Sequence, residues 1–254
     1  MIKYLRYNVD ANIIDKFEKL EIVTLSDFHR GSTGGESEEA TMIRKEAIKH
    51  VLDKPNAVAL LLGDMCNNNT RASKGSPFEE LFSGDDQRRA NIVELKPVAH
   101  KIIGAFDSNH SQRTKSYSNH SPEATLADFL GVPFFEDQGL IDIRFGKQRY
   151  ILFGWHGSGG AESEGTIIKG LLDLRHLAIA DIYVKGHHHR LRGFTRCVHD
   201  INHKGIIKRE QSFVMAGHSF DYSEYRSRMG LSVEKMGFAR IILHQSHKSV
   251  ELRV

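Results

Sequence analysis

The chain has 254 residues, of which 40% are hydrophobic and 26% charged, and its formal net charge is +3. That balance excludes disordered and fibrous classes, and no apolar run nears the roughly 20 residues that a bilayer span needs. The expectation is a single domain over 1–254, away from any membrane, unexported and cytoplasmic. Cys66 and Cys197 are too few for a disulfide framework or a thiolate zinc site and suit a reducing compartment. Histidine is the outlier at 15 residues, and imidazole is the commonest nitrogen donor to metals in proteins.

The first strand signal is 20–26 (LEIVTLS), followed by a helical pattern with Ala40, Ile43, Ala47, Ile48 and Val51 on one face. A second apolar strand, 57–62, completes a βαβ unit, and the two strands lead into Asp27 and Asp64. The segment 75–89 reads as loop with a short helical piece, and the helical stretch 90–100 is broken or kinked by Pro97. A third strand covers 102–106. Ser121 as N-cap, Pro122 at the first helical position and Gly131 past the end announce a helix with Leu126, Phe129 and Leu130 in the core. Strands follow at 140–145, 150–154, 182–185, 211–216, 238–244 and 249–254, with a helix at 165–177. A chain that begins βαβ and finishes strand-rich is satisfied by two packed sheets with helices outside, and ligands of such α/β folds gather at the carboxyl ends of strands.

Five short motifs sit just after predicted strands: Asp27-Phe28-His29, Gly63-Asp64, Ser108-Asn109-His110, Gly154-Trp155-His156-Gly157 and Gly186-His187-His188-His189. One Asp-x-His alone is expected about once by chance in such a chain. Five in succession at strand ends, where side chains converge, are not. Nitrogen and oxygen donors without thiolates suit manganese, iron, zinc or magnesium. On an extended segment Asp27 and His29 share a face.

In this order the motifs resemble those of the calcineurin-like metallophosphoesterases: Asp-x-His, Gly-Asp, Gly-Asn-His-Asp/Glu, His and Gly-His-x-His. The match runs from Asp27 to His189. GDMCNNNTRASKGS, SNHSQRT, GWHGSGG and DIYVKGHHH look like the phage-encoded or prophage-encoded branch. The resemblance implies an α/β fold, a four-layer sandwich of two packed mixed β-sheets flanked by helices. It implies two divalent ions, manganese foremost, one on Asp27, His29 and His189 and the other on Asn109, His156 and His187, with Asp64 bridging. It further implies that His110 protonates the leaving oxygen. Arg113, next to that stretch, reads as a phosphate clamp beside Asn109 and His110.

Two residues depart from the family pattern. Ser108 stands where the family has glycine, and Ser111 stands where an acid orients the catalytic histidine, so Ser111 is expected to orient His110 without lending it charge. Ser-Asn-His-Ser also recurs at 118–121, but the first copy follows a predicted strand and the second merges into a helix cap. His188 is the wild-card position of its motif. Asn67 to Asn69 shape a turn or meet substrate, Cys66 is read as packing, and His218, Tyr222 and Tyr225 as mainly structural.

The reaction class is hydrolysis of a phosphate ester by metal-activated water. A DNA-directed phosphodiesterase comes first, on the mild positive charge and on Arg71, Lys74, Arg88, Arg89, Arg113, Lys115, Arg190 and Arg192 near the motifs. A phosphomonoesterase comes second, and a non-catalytic scaffold last, because scaffolds lose ligands and this chain keeps a donor at every mapped position. No heptad seam marks a homo-oligomer or an ATPase partner.

Overall fold

Period-two alternation sorts the strands of this chain into two sheets that share one core. The computed structural model describes residues 2–71, 73, 75–160, 163–202, 205–221 and 233–254. Its strands are β1 (Lys3–Asn8), β2 (Lys19–Leu25), β3 (Ala57–Leu61), β4 (Ile102–Phe106), β5 (Phe134–Phe135), β6 (Gln138–Phe145), β7 (Gln148–Trp155), β8 (Ile182–Lys185), β9 (Leu191–Asn202), β10 (Gly205–His218), β11 (Gly237–Phe238), β12 (Arg240–His244) and β13 (Val250–Arg253). The helices are α1 (Ala11–Lys16), α2 (Glu38–Asp53), α3 (Gly84–Leu95), α4 (Asn109–Ser118), α5 (Pro122–Leu130) and α6 (Glu164–Leu172).

One sheet runs β13-β12-β2-β3-β4-β5, with β2 to β5 parallel and β12 and β13 antiparallel. The other runs β1-β6-β7-β8-β10, with β9 and β11 antiparallel to β10. Ile22, Val58, Leu60, Ile141, Leu152, Val184 and Val214 fill the space between the sheets. Their chain neighbours point the other way: Val23, Ala59 and Leu61 meet α2, α3 and α5, while Phe153, Tyr183 and Phe213 meet α6. The result is two mixed sheets flanked by helices, an α/β fold in four layers. Each fully buried Leu, Ile or Phe in these layers contributes about 1.5–3 kcal/mol of apolar burial.

The structure corrects the sequence reading in several places. Helix α3 begins at Gly84, inside the stretch read as loop, because Ser83 caps it by accepting from Asp86 N and Asp85 and Asp86 suit its positive end. It ends at Leu95, just before Pro97. Leu126 and Leu130 are buried, but Phe129 is 60% exposed, on the solvent side of a helix whose core face is taken by Leu126, Ala127 and Leu130. Strand β10 begins six residues before the expected 211, paired with an unexpected β9 from Leu191. Strand β1 and helices α1 and α4 were also not expected. Among the described residues no helix is long and apolar enough to cross a membrane.

The parallel strands β2, β3 and β4 of one sheet and β7 and β8 of the other lead their chain into the five motifs. Two sheets therefore deliver candidate ligands to one edge of the molecule.

Candidate metal centre

The candidate ligands reach the centre through unusual backbone. Asp27, His29, Asp64, His187 and His189 all have φ between 46° and 72°, a region costly for residues with a Cβ. Asp27 and His29 thus share a side through a left-handed turn beyond the end of β2, not through an extended strand as expected, and Phe28 between them is buried in the helix-side core. Strain of this kind, about 1–3 kcal/mol per residue, persists where surroundings over-determine it, and it concentrates at functional sites. The motif glycines have steric reasons. A Cβ on Gly63, itself at φ +87°, would lie 2.8 Å from the Ser108 Cβ, and one on Gly186 would lie 2.5 Å from the Ser26 hydroxyl.

Two groups of donors form. In the first, His29 Nε2 and His189 Nε2 are 2.9 Å apart, and His189 Nε2 is 3.3 Å from Asp27 Oδ1. In the second, one nitrogen from each of His156 and His187 lies near an Asp64 oxygen. Asp64 Oδ2 stands between the groups, 3.1 Å from His156 Nε2 and 3.8 Å from Nε2 of both His29 and His110.

The surroundings fit cations on three counts. Asp27 Oδ1 is buried without a hydrogen-bond partner, while Oδ2 is held by the Ser26 hydroxyl and His187 N. The outer ring nitrogens are held by oxygens: His29 Nδ1 by Asn67 Oδ1 at 3.2 Å, His156 Nδ1 by the Leu62 carbonyl at 2.6 Å and His187 Nε2 by the Gly159 carbonyl at 2.6 Å. Each such bond fixes the ring's orientation and aims its inner nitrogen at the space a metal would take, where the lone pair is offered once that nitrogen is deprotonated. Finally, the inner end of the Asn109 amide faces His156 Nε2, His187 Nδ1 and Asp64 Oδ2 at 3.0, 3.1 and 3.3 Å, and the outer end faces Arg113 Nη2 at 3.2 Å. Which end is oxygen is assigned from its surroundings. Among protein atoms alone the nitrogen turns inward to donate, whereas around a cation the oxygen joins the other lone pairs.

Electrostatics follow from burial and crowding. Burial pushes Asp64 up, but His110, His156 and His29 hold it well below the usual carboxylate range. Burial pushes His156 down, and Asp64 and Asp27 outweigh it, raising the ring to about 9. Burial holds His29 well below its ordinary value and lowers His187, and it takes His188 to about 3.

His110 sits in the first turn of α4, its Nδ1 on the Asn67 carbonyl and its Nε2 toward Asp64. The expected orienting role of Ser111 is not what the contacts show. Its hydroxyl pairs with Ser121 Oγ at 2.9 Å and accepts from Glu123 N, while Ser108 caps α4 by accepting from Ser111 N. The second Ser-Asn-His-Ser lies apart, with His120 exposed and Ser121 Oγ accepting from Ala124 N. Cys66 is buried, its thiol pushed up by burial and met by Asn91, in keeping with packing.

Of the basic residues, Arg113 reaches the centre. Arg88 and Arg89 pair with Asp85 and Asp86, Lys115 with Glu136, and Arg190 and Arg192 with Glu164 and Glu234. Lys74, Tyr222 and Tyr225 lie outside the described residues. His218 stacks on His189 with ring centroids 5.1 Å apart. Sequence reasoning missed Phe220, whose ring packs 4.9 Å from His29 and 5.3 Å from His189, and it left the double role of Asn67 unread. The position of Asn67, three residues after Asp64, was the available signal.

No family model and no curated protein matches the chain. Among solved structures it is similar to a conserved Streptococcus pneumoniae TIGR4 protein described as a predicted phosphoesterase, with TM-score 0.40, 12% identity, and 93% of this chain and 99% of that chain covered. It is also similar to Vps29 of Entamoeba histolytica complexed with zinc, with TM-score 0.40, 13% identity, and 92% of this chain and 97% of that chain covered. A third is a metallophosphoesterase from Sphaerobacter thermophilus, with TM-score 0.44, 13% identity, and 92% of this chain and 87% of that chain covered.

Proposed function

We propose that this chain is a metal-dependent phosphoesterase with a two-ion centre, acting on a phosphodiester, DNA foremost. The observation that carries the reading is the Asp64 carboxylate, shared between His156 on one side and His29 on the other. Asp27, His29 and His189 would hold one ion, Asn109, His156 and His187 the other, and Asp64 both. Nitrogen and oxygen donors without sulfur suit manganese, our proposed ion, as well as iron, zinc or magnesium. Two such ions supply a water acidic enough to attack near neutral pH and offset charge on the phosphoryl oxygens.

The chain's own residues do the rest. His110 donates its Nδ1 hydrogen to the Asn67 carbonyl, so the proton it gives to the leaving oxygen is the Nε2 proton of the imidazolium form. With its oxygen inward, Asn109 turns its amide nitrogen toward the Arg113 guanidinium, and these adjacent donors bind phosphoryl oxygens. Phe220 keeps water from one side of His29 and His189.

The DNA reading is supported by Arg113, by exposed Arg71 and by the net charge of +3. A phosphomonoesterase is the second reading, favoured by the carboxylate partners of Lys115, Arg88, Arg89, Arg190 and Arg192, which narrow the basic rim. A reducing, cytoplasmic setting belongs to the same proposal, supported by two free cysteines.

The test is the initial rate on bis-p-nitrophenyl phosphate and p-nitrophenyl phosphate, with metal-stripped protein reloaded with manganese and Asp64→Asn as blank. Preference for the diester, with DNA hydrolysis falling steeply in salt, is the expected result. Preference for the monoester moves the second reading to first place. No metal uptake and no turnover overturns both and leaves a scaffold.

A further inference from the structure

A second group of metal-ligating side chains lies at the opposite pole of the molecule. His244 closes β12 and pairs with Lys19 at the start of β2, whereas Asp27 lies beyond the end of that strand. Glu18 precedes β2, and His247 lies in the turn between β12 and β13. One ligand atom from each of Glu18, His244 and His247 lies within 4.8 Å of the other two.

The group is built rather than accidental. The Tyr150 hydroxyl, buried beneath it, donates to the His244 carbonyl at 2.7 Å and accepts from Ser249 N at 3.0 Å, which fixes the turn. His244 Nε2 is 2.8 Å from Glu251 Oε1, an oxygen also bound by Lys19 Nζ. His247 Nδ1 is 2.9 Å from Ser246 Oγ, and Ser246 N donates to Glu18 Oε1 at 3.0 Å. Each imidazole therefore has one nitrogen oriented by an oxygen partner, which leaves the other for a cation, and the Glu18 carboxylate keeps a second oxygen.

We propose that Glu18, His244 and His247 form a site for a divalent transition cation, zinc foremost, separate from the candidate centre at Asp64. Two imidazoles and one carboxylate make a zinc set, with water in the fourth place, while magnesium and calcium prefer all-oxygen shells. The ion ties the segment between α1 and β2 to the turn between β12 and β13 and stabilises the folded state by mass action. The proposal does not rest on the phosphoesterase reading.

The experiment is equilibrium dialysis of the full, metal-stripped chain against zinc, with bound metal counted by atomic emission. Wild type is expected to hold one zinc more per chain than His247→Ala or Glu18→Gln, both exposed substitutions, with diester hydrolysis equal in all three. His176→Ala, an exposed histidine elsewhere, is expected to keep the wild-type count. Equal zinc in wild type and both site variants overturns the proposal. So does an equal loss in His176→Ala, or a loss of hydrolysis alongside the lost zinc.

Discussion

The side-chain oxygen of Asn67 lies 3.2 Å from Nδ1 of His29. The same residue's backbone carbonyl accepts from Nδ1 of His110, so one asparagine orients a candidate ligand with its side chain and a candidate acid with its main chain. Substitution separates the two roles, because only the side chain is lost. In Asn67→Ala the apparent metal affinity is expected to fall about 10- to 100-fold, while kcat at saturating metal stays within a few-fold of wild type. Metal-titrated hydrolysis rates check this. An unchanged midpoint would show that His29 needs no such support.

His110 stands near enough to His29 and Asp64 to be grouped with them as a metal ligand, with its Nε2 3.8 Å from Asp64 Oδ2. Its proposed task is proton transfer instead. His110→Ala is therefore expected to lower kcat by about 10²- to 10⁴-fold with metal content unchanged. Loss of an ion from this variant would make His110 a ligand and remove the acid from the scheme.

The motifs were legible because each demands something local. Gly63 and Gly186 leave room that a Cβ would fill, and the residues after them face the centre. The left-handed turn at Asp27 and His29 was not legible, since positive φ is uncommon for any residue with a Cβ and is held here by surroundings that only folding assembles. Helix α4 was missed because NHSQRTKSYS carries almost no apolar period; its start is fixed by the Ser108 cap and by Asp64 Oδ1, which accepts from His110 N at 3.4 Å. Strand β9 was missed because Arg196, His199 and Asp200 are exposed on a two-stranded ribbon, so no buried face imposes alternation. The role of Asn67 depends on two residues brought close only by folding.

His156 carries the clearest pH consequence for metal uptake. Without metal its ring is raised to about 9, chiefly because Asp64 and Asp27 outweigh its burial, so at neutral pH it holds a second proton. A metal needs the Nε2 lone pair and must displace that proton, so affinity weakens about tenfold per pH unit below 9 through this group. Manganese titration at pH 7.5 in buffers of different ionisation enthalpy is expected to show about one proton released through His156. Wild type and His156→Asn releasing equal proton counts would contradict it.

Glu123 offers the converse test, on stability. It is buried, and desolvation raises its carboxyl to about 8 from an ordinary 4.5, against the opposing hydrogen bond from Met65 N. The folded state therefore keeps a proton that the unfolded chain gives up near 4.5, so this contribution to stability is full below 4.5 and is lost as pH rises toward 8. The slope from this one group is at most about 1.4 kcal/mol per pH unit. Glu123→Gln resembles the protonated acid and has no proton to lose. In metal-free protein the variant and wild type are expected to unfold at similar urea concentrations at pH 5, and the variant at higher urea at pH 8. Loading the centre should shrink the difference, because cations beside Asp64 offset one of the charges that raises Glu123. Parallel stability curves for the two proteins from pH 5 to pH 8 would show that Glu123 is ionised in its buried place.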